Sequence, residues 1–145
     1  LVETDMSIFY RQLAKVDLSQ ALSDSVTWLD TLKEAYYQQE ELSETYLSQM
    51  AAWLEKWQQR VIQDNRSDEL RVSQMNSVNP KYVLRNYLSQ QAIDAAQQGD
   101  YSEIHRLQKL LRHPYDEQPE FERYAKKRPD WARDKVGCSM LSCSS

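Results

Sequence analysis

Residues 78–113 read VNPKYVLRNYLSQQAIDAAQQGDYSEIHRLQKLLRH, and this stretch decides the fold class. Its local signals predict a helix with Asn79 as N-cap and Pro80 at the first helical position. Proline lacks an N–H to satisfy there, and its φ is already helical. Val83, Leu84, Tyr87, Leu88, Gln91, Ala92 and Ala95 then line one face at helical spacing. Gly99 suits the left-handed position just past a helix end. Asp100 and Glu103 follow as a capping-box-like pair. Ile104, Leu107, Leu110 and Leu111 make a second stripe, which Pro114 ends. Two helices joined through QQGD predict an antiparallel helix hairpin over 78–113.

Outward from the hairpin, the pattern stays helical. The chain has 145 residues with two glycines and four prolines, three of the prolines after residue 110. So few breakers predict that the first 110 residues are almost all helix. Leu47, Met50, Leu54, Trp57 and Val61 step by three and four, and Leu22, Val26, Leu29 and Leu32 repeat the pattern upstream. Ser43 fits an N-cap, since its hydroxyl accepts from a first-turn N–H. Between the stripes, AYYQQEELSETY suits either a turn or a helix boundary. After Pro114 the sequence is proline-spaced and charged. The expected organisation is an all-α fold: a helical segment over 1–77, the hairpin over 78–113, a strap over 114–136 with one short helix near 119–126, and a flexible thiol-bearing tail over 137–145.

Composition removes several function classes. Hydrophobic residues make up 41% and there are fifteen aromatics, too many for a disordered chain. No apolar run approaches the roughly 20 residues that span a bilayer. No basic n-region with an apolar h-region opens the chain, and two cysteines at one end are no secreted disulfide framework. These features predict a cytoplasmic, reducing compartment and no membrane partner. Leu1 in place of Met, with a helix soon under way, suggests a piece of something longer.

Catalytic chemistry finds little support. Gly99 and Gly137 are too few and too far apart for a phosphate-binding loop. His105 and His113 lack metal-ligand spacing. Glu40, Glu41 and Glu44 lie in the most polar stretch and read as a solvated face. Arg106, Lys109, Arg112, Lys126, Lys127 and Arg128 form a basic cluster with Tyr124 and Trp131 nearby, as a nucleic-acid surface would need. Yet the net charge is −4, which speaks against nucleic acid. Trp28, Trp53 and Trp57 read as core or interface. Cys138 and Cys143 are spaced C-x4-C, neither a redox CxxC nor a common zinc half-site. Local chemistry leaves two readings open: inert surface thiols, or thiols on a tether that form a reversible disulfide elsewhere.

Several marks together resemble the SelO (YdiU, UPF0061) family. They are Asn79-Pro80, Leu84-Arg85-Asn86, Gln91-Ala92-Ile93, Gly99-Asp100, RPDW at 128–131, and the terminal SCSS. The resemblance implies a parent enzyme with a kinase-like fold that transfers AMP, or UMP, from a nucleotide to Ser, Thr or Tyr hydroxyls of proteins. It implies ATP or UTP with Mg or Mn for that parent. The family's catalytic, nucleotide and metal residues belong to a kinase-like domain N-terminal to the matched region, so no catalytic residue and no cofactor is expected within this chain. The implied partners are that domain and the parent's protein substrates, in a bacterial cytoplasm. Cys143, three residues from the end, matches the position implicated in a disulfide with the kinase-like domain; Cys138 is the second candidate. A separate reading is an independent all-α interaction module, with nucleic acid as one partner of its basic half.

Overall fold

The computed structural model describes residues 2–23, 25–136 and 138. Among these residues the architecture is all-α. The helices are α1 (Met6–Leu13), α2 (Ser25–Leu32), α3 (Glu44–Gln63), α4 (Asp68–Val78), α5 (Asn86–Gln97) and α6 (Ser102–Leu111), with short 3₁₀ turns between and after them. The chain divides into two compact units, Leu1–Asn79 and Pro80–Ser145.

In the first unit, side-chain oxygens start α1, α3 and α4. Asp5 accepts from the Ile8 N–H at 3.0 Å, Ser43 from Tyr46 at 3.2 Å and Ser67 from Leu70 at 3.3 Å. Each satisfies one donor that a first turn leaves unpaired. The 20-residue α3 ends at Asp64, followed by Asn65 at φ 49°, a left-handed conformation that asparagine tolerates. Trp28, Leu32, Tyr36 and Leu54 are fully buried, in one core with Phe9, Leu13 and Val16. The segment before α1 joins residues 35–37 through Asp5 N–H to Ala35 O at 2.8 Å and Tyr37 N–H to Glu3 O at 3.2 Å. The helices are not continuous: residues 14–23, 33–43, 64–67 and 79–85 interrupt them with turns, 3₁₀ pieces and extended backbone.

Arg71 closes this unit from within. It is buried, and its guanidinium donates to Ala14 O at 3.0 Å and Val16 O at 3.3 Å, at the C-cap of α1 and in the turn beyond it. Its Nε meets Asp68 at 3.2 Å, and its Cζ lies 5.8 Å from the Trp57 ring centroid.

The second unit starts differently from the sequence expectation. Asn79 is the C-cap of α4, and α5 begins at Asn86 with Arg85 as N-cap. A proline disfavours helix at the residue before it, and Asn79 is extended (φ −112°, ψ 106°). The reason residues 81–85 stay unwound is tertiary. The N–H groups of Lys81 and Tyr82 both donate to Pro114 O, at 2.8 and 3.1 Å. The Tyr82 ring is buried, and its hydroxyl donates to Gln118 O at 3.0 Å. Lys81 reaches Glu117 at 2.5 Å and Glu122 at 2.6 Å. Those bonds need an extended segment, and they override the local Asn-Pro signal.

Helices α5 and α6 share the second core through Leu88, Ala92, Leu107 and Leu110. Gly99 turns the chain between them at φ 85°, where an L side chain is strained. Beyond Pro114 the backbone forms 3₁₀ helices at Pro119–Ala125 and Asp130–Ala132, which deliver Phe121, Tyr124 and Ala132 to the same core.

Candidate functional site

A polar constellation borders a cleft in the second unit. The cleft, of about 420 Å³, is bordered by Tyr87, Gln91, Ser102, Glu103, Arg106, Arg123 and Tyr124. Helix α6 supplies Glu103 in its first turn and Arg106 one turn on. The 3₁₀ helix Pro119–Ala125 supplies Arg123 and Tyr124. The Tyr124 hydroxyl donates to Glu103 Oε1 at 2.6 Å and accepts from Arg123 at 2.5 Å. Arg106 meets Glu103 Oε2 at 3.0 Å, and Arg123 meets the same oxygen at 3.5 Å. The Arg123 guanidinium stacks 4.5 Å from the Tyr124 ring centroid.

The electrostatics follow from these partners. Burial, reinforced by donation to Glu103, holds the Tyr124 hydroxyl above its ordinary pKa. The bond to Tyr124 raises Arg123 further. Asp100 sits lower than an ordinary carboxyl because it accepts from Ser102 backbone and side chain. The Tyr124 proton is directed at the Glu103 carboxylate. Glu103 is engaged by three donors at once. The arrangement clasps α6 to the strap.

The thiols are placed unevenly. Cys138 is fully buried in the second core, and its N–H donates to Lys135 O at 3.0 Å. This corrects the expectation that it sits on a loose tail. The strap leading to it lies on α5: Trp131 meets Tyr87 edge-on at 6.2 Å, and Lys135 pairs with Asp94 at 3.2 Å. Cys143, and the rest of the 137–145 tail, lie outside the described residues.

The other candidates resolve into surface or packing roles. Glu40, Glu41 and Glu44 are exposed. His105 is exposed, and His113 faces Asp116 at 3.5 Å. Among the described residues no three potential ligands gather around a metal position. Of the basic residues, Arg128 is buried, Lys109 lies over the Phe121 ring, and Arg106 is ion-paired. No helix among the described residues is long and apolar enough to cross a membrane. Sequence reasoning missed the structural arginines, Arg71 and the fully buried Arg85. Arg71 sits in a polar window and Arg85 in an apolar one, and nothing in linear spacing marks a charge for burial.

The family model described as protein adenylyltransferase SelO matches residues 2–112. A protein nucleotidyltransferase YdiU from Rhodopirellula baltica is 49% identical over 152 residues, covering 100% of this chain and 28% of the relative. The proteins of the same name from Flavobacterium johnsoniae and Xanthomonas campestris are 48% and 49% identical, with 27% and 26% of their lengths covered. The chain thus spans little more than a quarter of these relatives, and the match falls in their C-terminal part. With most of its length inside the family match and all of it aligned at nearly half identity, this chain belongs to the SelO family.

Proposed function

We propose that this chain is the non-catalytic, helical C-terminal part of an enzyme that transfers AMP, or UMP, from a nucleotide to Ser, Thr or Tyr hydroxyls of proteins. It packs on a kinase-like domain that precedes it, and that domain binds ATP or UTP with Mg or Mn. Cys143 is its redox-active thiol. The observation that carries this reading is the full-length alignment to proteins named nucleotidyltransferases, of which it covers only about a quarter. Two features support a non-catalytic role: the chain has no glycine loop to cradle phosphates, and the polar cluster at its cleft is internally satisfied.

In the redox step, Cys143 and a thiol of the preceding domain form one S–S bond. Two protons and two electrons pass to a disulfide oxidant such as oxidised glutathione. Cys138, packed in the core, precedes Cys143 by five residues.

Calorimetry tests the division of labour. ATP·Mg²⁺ is expected to give stoichiometric binding to the full-length protein and none to this chain. Binding by this chain overturns the assignment. Peptide mapping of the oxidised full-length protein is expected to find Cys143 in a disulfide; a free Cys143 thiol removes the redox role.

A further inference from the structure

Met6, Tyr10 and Trp53 are large apolar side chains left 51%, 40% and 44% exposed on the first unit. Met6 and Tyr10 are four residues apart, so they share one face of α1. Phe9 joins them to α3: its ring lies 5.6 Å from Tyr10 and 6.4 Å from Trp53, centroid to centroid. Phe9 itself is buried. The three exposed groups therefore stand on a packed base contributed by two helices, and exposed Lys56 lies one turn beyond Trp53. Exposed apolar side chains gathered on two packed helices, with a charged residue beside them, are the surface signature of a contact.

We infer that this patch is the face on which the preceding, N-terminal portion of the enzyme docks. The inference rests on the packing reading proposed above and locates it. Three considerations favour that occupant. Most of each relative's length lies outside the match, which falls at their C-terminal end. That length enters this unit just ahead of α1, a few residues from Met6, so its local concentration at the patch is high. The area also fits. Interdomain contacts within a chain bury about 600–1,500 Å² in all, and three half-exposed large side chains offer on the order of 300 Å² for the centre of one side. A permanent homodimer needs about 2,000 Å² or more, which this patch does not supply.

Hydroxyl-radical footprinting of the full-length protein, compared with the 145-residue chain alone, tests the assignment. The side chains of Met6, Tyr10 and Trp53 are expected to label about tenfold more slowly in the full-length protein, at every protein concentration. If they label equally while another face of the chain becomes protected, the docking face is elsewhere and this inference fails, though the packing reading stands. If no face is protected, both fail. Protection that appears only as concentration rises identifies a second copy as the occupant and overturns the inference.

Discussion

Replacing Arg71 with alanine should destabilise the first unit severely, and the cost follows from its contacts. The guanidinium supplies the donors for Ala14 O and Val16 O, both in buried surroundings. A hydrogen bond to a charged group contributes about 1.5–3 kcal/mol net, and an orphaned buried acceptor costs about 1–3 kcal/mol. These figures describe the same bonds and are not summed. The Asp68 contact adds little, because Asp68 is largely exposed. Loss of the stem beside Trp57 adds a packing contribution of about 0.5–1 kcal/mol. The expected loss for Arg71→Ala is about 3 kcal/mol, roughly a hundredfold in the folded-to-unfolded ratio. Arg71→Met keeps the bulk and removes the donors, so it should lose about 2 kcal/mol. Urea unfolding followed by tryptophan fluorescence reads this unit well, because Trp28, Trp53 and Trp57 all lie in it. A loss below about 1 kcal/mol for alanine, or a methionine variant as stable as wild type, would refute the view that Arg71 closes α1.

Three further outcomes are expected. Gly99→Ala should cost about 1 kcal/mol, purely from backbone strain at φ 85°, since an added Cβ meets nothing within 4 Å. Gly99→Asn should cost less, and equal losses in thermal melts would contradict this. Tyr124→Phe should cost about 1–2 kcal/mol by removing the hydroxyl between Glu103 and Arg123. Because the folded hydroxyl has the raised pKa, the unfolded chain ionises first; wild-type stability therefore falls as pH passes about 10, and the variant should show a shallower fall. In a Cys143→Ser background, Cys138 should react with a thiol reagent about a hundredfold more slowly in the folded chain than in urea, because labelling waits for the core to open. Fast native labelling would place it at the surface.

Much of this protein follows from its linear order. Ser43 caps α3 and Gly99 turns the chain after α5 because those requirements are local: a hydroxyl three residues from a free N–H, a residue without Cβ at positive φ. The absence of a glycine-rich loop was equally legible, as were the marks of the SelO family. What the linear order left undecided depends on partners far along the chain. Asn79-Pro80 reads as a helix start, yet Pro114 O and Gln118 hold residues 81–82 extended. Nothing in the linear order singles out Arg71 or Arg85 for burial, yet both are buried, with Arg71 donating to backbone carbonyls 55–57 residues away. Cys138 reads as part of a loose end, but the strap carries it into the core. Local propensity governs caps and turns because a few neighbouring atoms settle them. Burial is settled only when distant segments meet, and there the tertiary structure alone decides.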